Sequence, residues 1–193
     1  MNLPNKLTVL RIVLIPVFMI FAFPYPDWFP YLSDVEWFVS SKDLIAFIVF
    51  VVASLTDFLD GYIARKNNLV TDFGKFLDPI ADKLLVTASL LALTKVSAVY
   101  VWATMIILIR EFVVTGFRLV AAGKGVVIAA GVLGKWKTAT QMIALSVLLF
   151  APVLPMGSFH DIIRIFGNIV MAISVLLTII SVTDIMISLS VAN

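Results

Sequence analysis

Six stretches of this chain, residues 7–23, 44–65, 75–94, 96–120, 138–154 and 165–182, are apolar over close to the length a helix needs to cross a bilayer. That length is about 20 largely apolar residues, and no water-facing surface tolerates blocks of the kind. Composition points the same way: 62% of the 193 residues are hydrophobic and 13% are charged, against about 25% charged in an average soluble chain. Strand-like alternation is absent, and backbone groups in hydrocarbon must be satisfied internally, so helices are expected and a barrel is not. The expected fold is an all-α integral membrane protein, one domain over 1–193 built as a six-transmembrane-helix bundle. The last stretch carries no charge, whereas the first holds Arg11 and Pro16, which makes its start the weakest span and favours an interfacial position there. Phe23, Pro24, Tyr25 and Pro26 follow it in place of a small-residue cleavage site, so the segment is expected to be retained.

Six spans put both termini on one side, and cytoplasmic loops collect Lys and Arg. Lys6, Arg11, Arg65, Lys66, Lys75, Lys83, Arg110, Arg118, Lys124, Lys135 and Lys137 fall at one set of helix ends, leaving Lys42, Lys95 and Arg164 for the other. Both termini are therefore expected in the cytoplasm of a multi-pass protein of the cell membrane. The loop 24–43 mixes Asp27, Asp34 and Glu36 with Trp28, Tyr31 and Trp37, the chemistry of an outer interface. A net charge of +2 gives no reason to expect nucleic acid as a partner, and the absence of cysteine excludes disulfides and thiol catalysis. His160, the single histidine, is expected in an outer loop over 152–161, as a surface residue and not a ligand.

The anomaly is acidic. Asp57, Asp60, Asp78 and Asp82 sit inside or beside the second and third stretches, where an ionised Asp costs up to about 2.5–3.5 kcal/mol and is functional by default. A single one could be a solvated helix end; four together are harder to dismiss. In a helix Asp57, Asp60, Gly61 and Ala64 fall at i, i+3, i+4 and i+7, so two carboxylates share a face with two minimal side chains that let a ligand approach the backbone. Gly74, Asp78 and Asp82 repeat the device at i, i+4 and i+8. The polar connection 66–73 suits a reversal that turns the two stripes toward each other, and Pro79 belongs in the opening turns of the third helix or at a kink. Four facing carboxylates repel unless protonated or bridged by a cation. Oxygen-only ligation with no Cys and no nearby His favours a hard ion, Mg²⁺ or Mn²⁺. Two such ions would clamp the attacking and leaving oxygens of a displacement at phosphorus, with Arg65 beside them to pair with phosphate.

These residues carry a resemblance. Asp57-x-x-Asp60-Gly61-x-x-Ala64-Arg65, eight residues, then Gly74-x-x-x-Asp78-x-x-x-Asp82 resembles the complete signature of the CDP-alcohol phosphotransferases, without departure. The resemblance implies two divalent cations held by Asp57, Asp60, Asp78 and Asp82, with Asp82 also the general base. It implies CDP against Gly61, Ala64, Arg65 and Gly74, and a homodimer. The opening residues 2–11 and the run Gly134-Lys135-Trp136-Lys137-Thr138 are similar to members that join CDP-diacylglycerol to glycerol 3-phosphate; other members take serine or inositol phosphate.

An anionic acceptor needs cationic donors in a partly desolvated pocket. Arg110 and Arg118, eight apart on the fourth helix, and Lys135 and Lys137, after the glycine-rich connection 123–134, are the candidates for its phosphate. Positive-inside bias alone would also place them there, and Glu111 beside Arg110 suggests a structural pair as the competing role. From a different class, a small cation or proton transporter could use the acidic cluster. Such a site belongs near the midplane between inverted repeats, whereas these carboxylates lie at the cytoplasmic ends and no inverted repeat is evident.

Overall fold

The computed structural model describes residues 3–23, 36–66, 72–95, 98–123 and 131–191, and within these the side chains of 3–4, 36–40, 58, 60–62, 64–65, 72–76, 78–79, 119, 122 and 183–191 fall outside the description. All regular structure among the described residues is helical: α1 (Leu3–Ala22), α2 (Glu36–Lys66), α3 (Asp72–Lys95), α4 (Val101–Gly123), α5 (Val132–Phe150) and α6 (Ser158–Val191), with a 3₁₀ turn at Ala151–Val153. Three helical stretches, Asn5–Ala22, Val132–Val153 and Ser158–Val182, are long and apolar enough to cross a membrane. At 1.5 Å per residue the 31 residues of α2 extend about 46 Å, well beyond an ~30 Å hydrocarbon core.

Several helix ends differ from the limits of the apolar stretches. α2 begins at Glu36, eight residues before the apolar run, because Ser41, Lys42 and Asp43 continue the helix without adding hydropathy. α4 begins at Val101 and not at 96: the amides of Ala98 and Val99 both bond the Leu93 carbonyl, at 2.9 and 3.3 Å, closing α3. The connection expected to reach Gly134 ends at Gly131, whose extended backbone (φ −63°, ψ 163°) starts α5; Gly134 lies inside the helix. Pro152 stands in the 3₁₀ turn that follows α5, where its missing N–H is harmless. α6 starts at Ser158, so His160 lies in its first turn and not in a loop, with Nδ1 3.2 Å from Asp161 Oδ1; an acid in that turn suits the helix dipole.

Polar side chains are buried alongside an apolar core, and large apolar side chains face outward. Arg11, Ser89, Lys137, Gln141, Ser174, Thr178 and Ser181 are buried, while Val13, Ile109, Phe112, Phe117, Ile162, Ile169 and Ile180 are exposed. The outward face is what lipid would cover, and several of the inward polar groups bond a backbone carbonyl, as Ser89 does to Leu85 at 2.8 Å and Thr178 to Ser174 at 2.7 Å. The core joins Phe18 of α1 to Phe50 of α2, ring centroids 6.2 Å apart, and continues through Leu85, Ile107, Leu145 and Leu148. α1 packs on both α2 and α3, α5 packs most extensively on α6, and α4 rests on α6. Gly167 permits the α5–α6 approach, since a Cβ there would stand 2.8 Å from the side chain of Leu148.

Candidate active site

Two polar assemblies are built into the bundle, one between α1 and α2 and one among α3, α4 and α5. The first is built on α1. Asn5, Thr8 and Arg11 are buried at i, i+3 and i+6, so one edge of an otherwise apolar helix is polar. Arg11 Nη1 lies 2.5 Å from Asp57 Oδ1 on α2; the guanidinium is fully buried and the carboxylate is 46% exposed. Burying Arg11 is expensive without such a partner, so the pair fixes how α1 sits on α2. In the sequence Arg11 reads as a flaw in the first span; its isolation in an apolar run was the available signal.

Asp60, Gly61, Ala64 and Arg65 follow Asp57 on α2, and Gly74 and Asp78 precede Asp82 on α3. Their backbones are helical, as the spacing argument requires, and their side chains lie outside the described residues. α3 runs through Pro79. Asp82 is partly buried, and Asp57, Lys83, Glu111 and Arg11 are the charged groups that act on it. Asp57 and Asp82 thus lie within electrostatic reach across the α2–α3 pair.

The second assembly centres on Glu111. Its Oε1 accepts hydrogen bonds from Lys137 Nζ of α5 and from Arg110 Nη1 at 3.2 Å, and its Oε2 lies 3.5 Å from Lys83 Nζ of α3. Arg110 Nη2 donates to Ser181 Oγ at 2.9 Å, which ties the cluster to α6. Gly134 lets α5 pass close by, since a Cβ there would sit 3.8 Å from Arg110 Nη2. Sequence reasoning named Glu111 as a partner for Arg110 and missed that it gathers cations from three helices. Asp82, Lys83, Glu111, Lys137, Thr138 and Gln141 line one cavity between α3, α4 and α5. Three cations surround Glu111, and of these Lys83 and Lys137 line the cavity, where they face the two carboxylates Asp82 and Glu111.

The four cations expected to hold an acceptor phosphate therefore part company. Lys137 is buried and lines the cavity with Asp82. Arg110 stands behind it, engaged by Glu111 and Ser181. Lys135 is exposed on the first turn of α5, and neither it nor Arg118 lines the cavity; the buried Nε of Arg118 has no hydrogen-bond partner among the described residues. No three candidate metal ligands converge among the described residues, which include the side chains of Asp57 and Asp82 only from the expected quartet. The donor chemistry fits a hard divalent cation: carboxylate oxygens at the site, no cysteine in the chain, and the one histidine paired with Asp161 at the start of α6.

A helical bundle with an apolar outer face and carboxylates gathered beside buried cations has the make-up of a transferase acting on anionic substrates at a bilayer. The chain belongs to the CDP-alcohol phosphatidyltransferase family, whose model matches residues 1–180. It is 53% identical over 148 residues to the CDP-diacylglycerol–glycerol-3-phosphate 3-phosphatidyltransferase of Bacillus subtilis, covering 77% of this chain and 76% of that one. The enzyme of the same name from Rickettsia bellii is 42% identical over 182 residues, covering 93% and 91% of the two chains. That of Haemophilus influenzae is 36% identical over 183 residues, covering 92% and 88%.

Proposed function

We propose that this protein transfers the phosphatidyl group of CDP-diacylglycerol to glycerol 3-phosphate, giving phosphatidylglycerophosphate and CMP. The observation that carries the acceptor assignment is that Asp82, a carboxylate able to act as base, and the Lys137 ammonium, a donor for phosphate, line one cavity. Family membership and the names of the relatives support the donor. CDP lies against Gly61, Ala64, Arg65 and Gly74, where small side chains admit the nucleotide and Arg65 pairs with phosphate. Asp57, Asp60, Asp78 and Asp82 would hold two divalent cations, Mg²⁺ or Mn²⁺, which when bound supply charge that offsets the diphosphate. Lys137 holds the acceptor phosphate, Arg110 supports it through Glu111, and Arg118 and Lys135 guide the anion inward. Asp82 takes the proton of the acceptor hydroxyl. The freed oxygen attacks the phosphorus that bears the diacylglycerol, a new P–O bond forms, and the bond to CMP breaks with its electron pair leaving on CMP.

The working form is a homodimer in the cell membrane, each chain one domain of six spans with both termini and the site facing the cytoplasm, where acceptor and CMP exchange with water. The purified protein, given CDP-diacylglycerol and a competing panel of glycerol 3-phosphate, serine and inositol phosphate, should release CMP chiefly with the first. Preference for serine or inositol phosphate would leave the family reading standing and remove this acceptor.

A further inference from the structure

At the end of the bundle away from Asp82, the start of α4 and the first half of α6 border an open groove of about 770 Å³. Asp82 and Lys95, the last residue of α3, stand about 20 Å apart along its axis, and the groove begins just beyond Lys95, at Ala98. Buried Val99 and Met171 lie at its base, and exposed Ile165 and Ile169 form an apolar flank. From Asp161 to Val175 the lining follows α6 for about 21 Å, enough for a headgroup and roughly one leaflet of an ~30 Å hydrocarbon core. The polar residues of the lining, Asp161, Arg164, Asn168 and Tyr100, gather toward one end, and past Asn168 the α6 side is apolar through Val175. Asn168 gives its amide N–H to the Arg164 carbonyl at 2.9 Å. Asp161 and Arg164, one turn apart and both exposed, are left to meet a headgroup, beside an exposed tyrosine of the kind that sits at headgroup level.

We infer that this groove holds one phospholipid with a zwitterionic headgroup, its phosphate against the Arg164 guanidinium, its primary ammonium against the Asp161 carboxylate and an acyl chain over Ile169, Ala172 and Val175. One negative and one positive side chain at the polar end match a headgroup that carries both signs, whereas a purely anionic headgroup would meet the Asp161 carboxylate with nothing to offset it. A second copy of the chain seated in the groove would have to bury the exposed Asp161 and Arg164 at the cost of their hydration; a lipid leaves both at the water boundary. Such a lipid is neither donor nor product of the proposed reaction, which takes place at the other end of the bundle.

In the test, delipidated protein in detergent is offered equal amounts of phosphatidylethanolamine and phosphatidylglycerol, and the lipid retained per chain is counted by native mass spectrometry. The wild type should keep one phosphatidylethanolamine, at least about threefold over phosphatidylglycerol, as expected of exposed ionic contacts. Arg164→Gln should lower the retention of phosphatidylethanolamine by at least about threefold, and Asp161→Asn should bring the two lipids to parity. Both positions are exposed, and the thermal unfolding midpoint without lipid reports whether each variant folds; if either does not, Ile169→Trp, which fills the groove, should show the same loss of retention. Equal retention of the two headgroups by the wild type, or retention that the substitutions leave unchanged, would mean ordinary surrounding lipid and overturns the inference. A pair of chains that holds no lipid and comes apart in Ile169→Trp would give the groove to a second copy and overturns it equally.

Discussion

Asp82 and Lys137 come from different helices and meet in one cavity, and the account at residue scale depends on that meeting. Asp82→Asn keeps size and hydrogen-bonding capacity and removes the base, so kcat should fall by at least about 100-fold while CDP-diacylglycerol binding is largely kept. Single-turnover rates and a direct binding titration separate the two, and near-normal turnover would exclude Asp82 as base. Lys137→Met should raise the KM for glycerol 3-phosphate at least about tenfold, the loss of one charge-assisted hydrogen bond. Lys135→Ala, at an exposed position, should raise it much less. Equal effects of the two substitutions would mean that the burial of Lys137 has no bearing on the acceptor. The carboxylate spacing and the wish for cations near it were legible along the chain, because both follow from helical period and charge. The pairs Arg11–Asp57 and Lys137–Glu111 were not: the second joins residues 26 apart on different helices. The bond from Arg110 to Ser181 spans 71 positions, and no local pattern encodes such a meeting.

At the scale of elements, hydropathy located the six helices and misjudged their ends. It registers where a helix becomes apolar, whereas the backbone stays helical through Glu36–Asp43 of α2 and starts α5 at Val132, six residues before the apolar run at 138. α6 also begins earlier than its charge-free run, so His160 is helical. The α5–α6 interface offers a direct test of packing. Valine at Gly167 would bring its Cβ within 2.8 Å of Leu148, and overpacking of this kind costs about 1–3 kcal/mol. Gly167→Val should therefore lower the thermal unfolding midpoint in detergent, and Gly167→Ala should do so less. An unchanged midpoint would show that α6 shifts freely on α5.

For the whole molecule, buried polar groups inside and exposed Ile, Phe and Val outside fit a bundle whose solvent is lipid. The eleven-to-three division of Lys and Arg sets the proposed orientation. In the full-length protein, a cysteine at Asn67 should react with an impermeant thiol reagent only once the inner face is opened, and one at Ser33 should react from outside; the reverse pattern would invert the topology. The central claim is chemical, that a phosphatidyl group passes to the hydroxyl of glycerol 3-phosphate. It is tested most directly by supplying the purified protein with CDP-diacylglycerol, divalent cation and glycerol 3-phosphate labelled in its carbon skeleton, then following the label into solvent-extractable lipid. The account predicts labelled phosphatidylglycerophosphate formed with one CMP released per lipid and lost in Asp82→Asn. Label that stays in the aqueous phase while CMP is released with a different alcohol would contradict it.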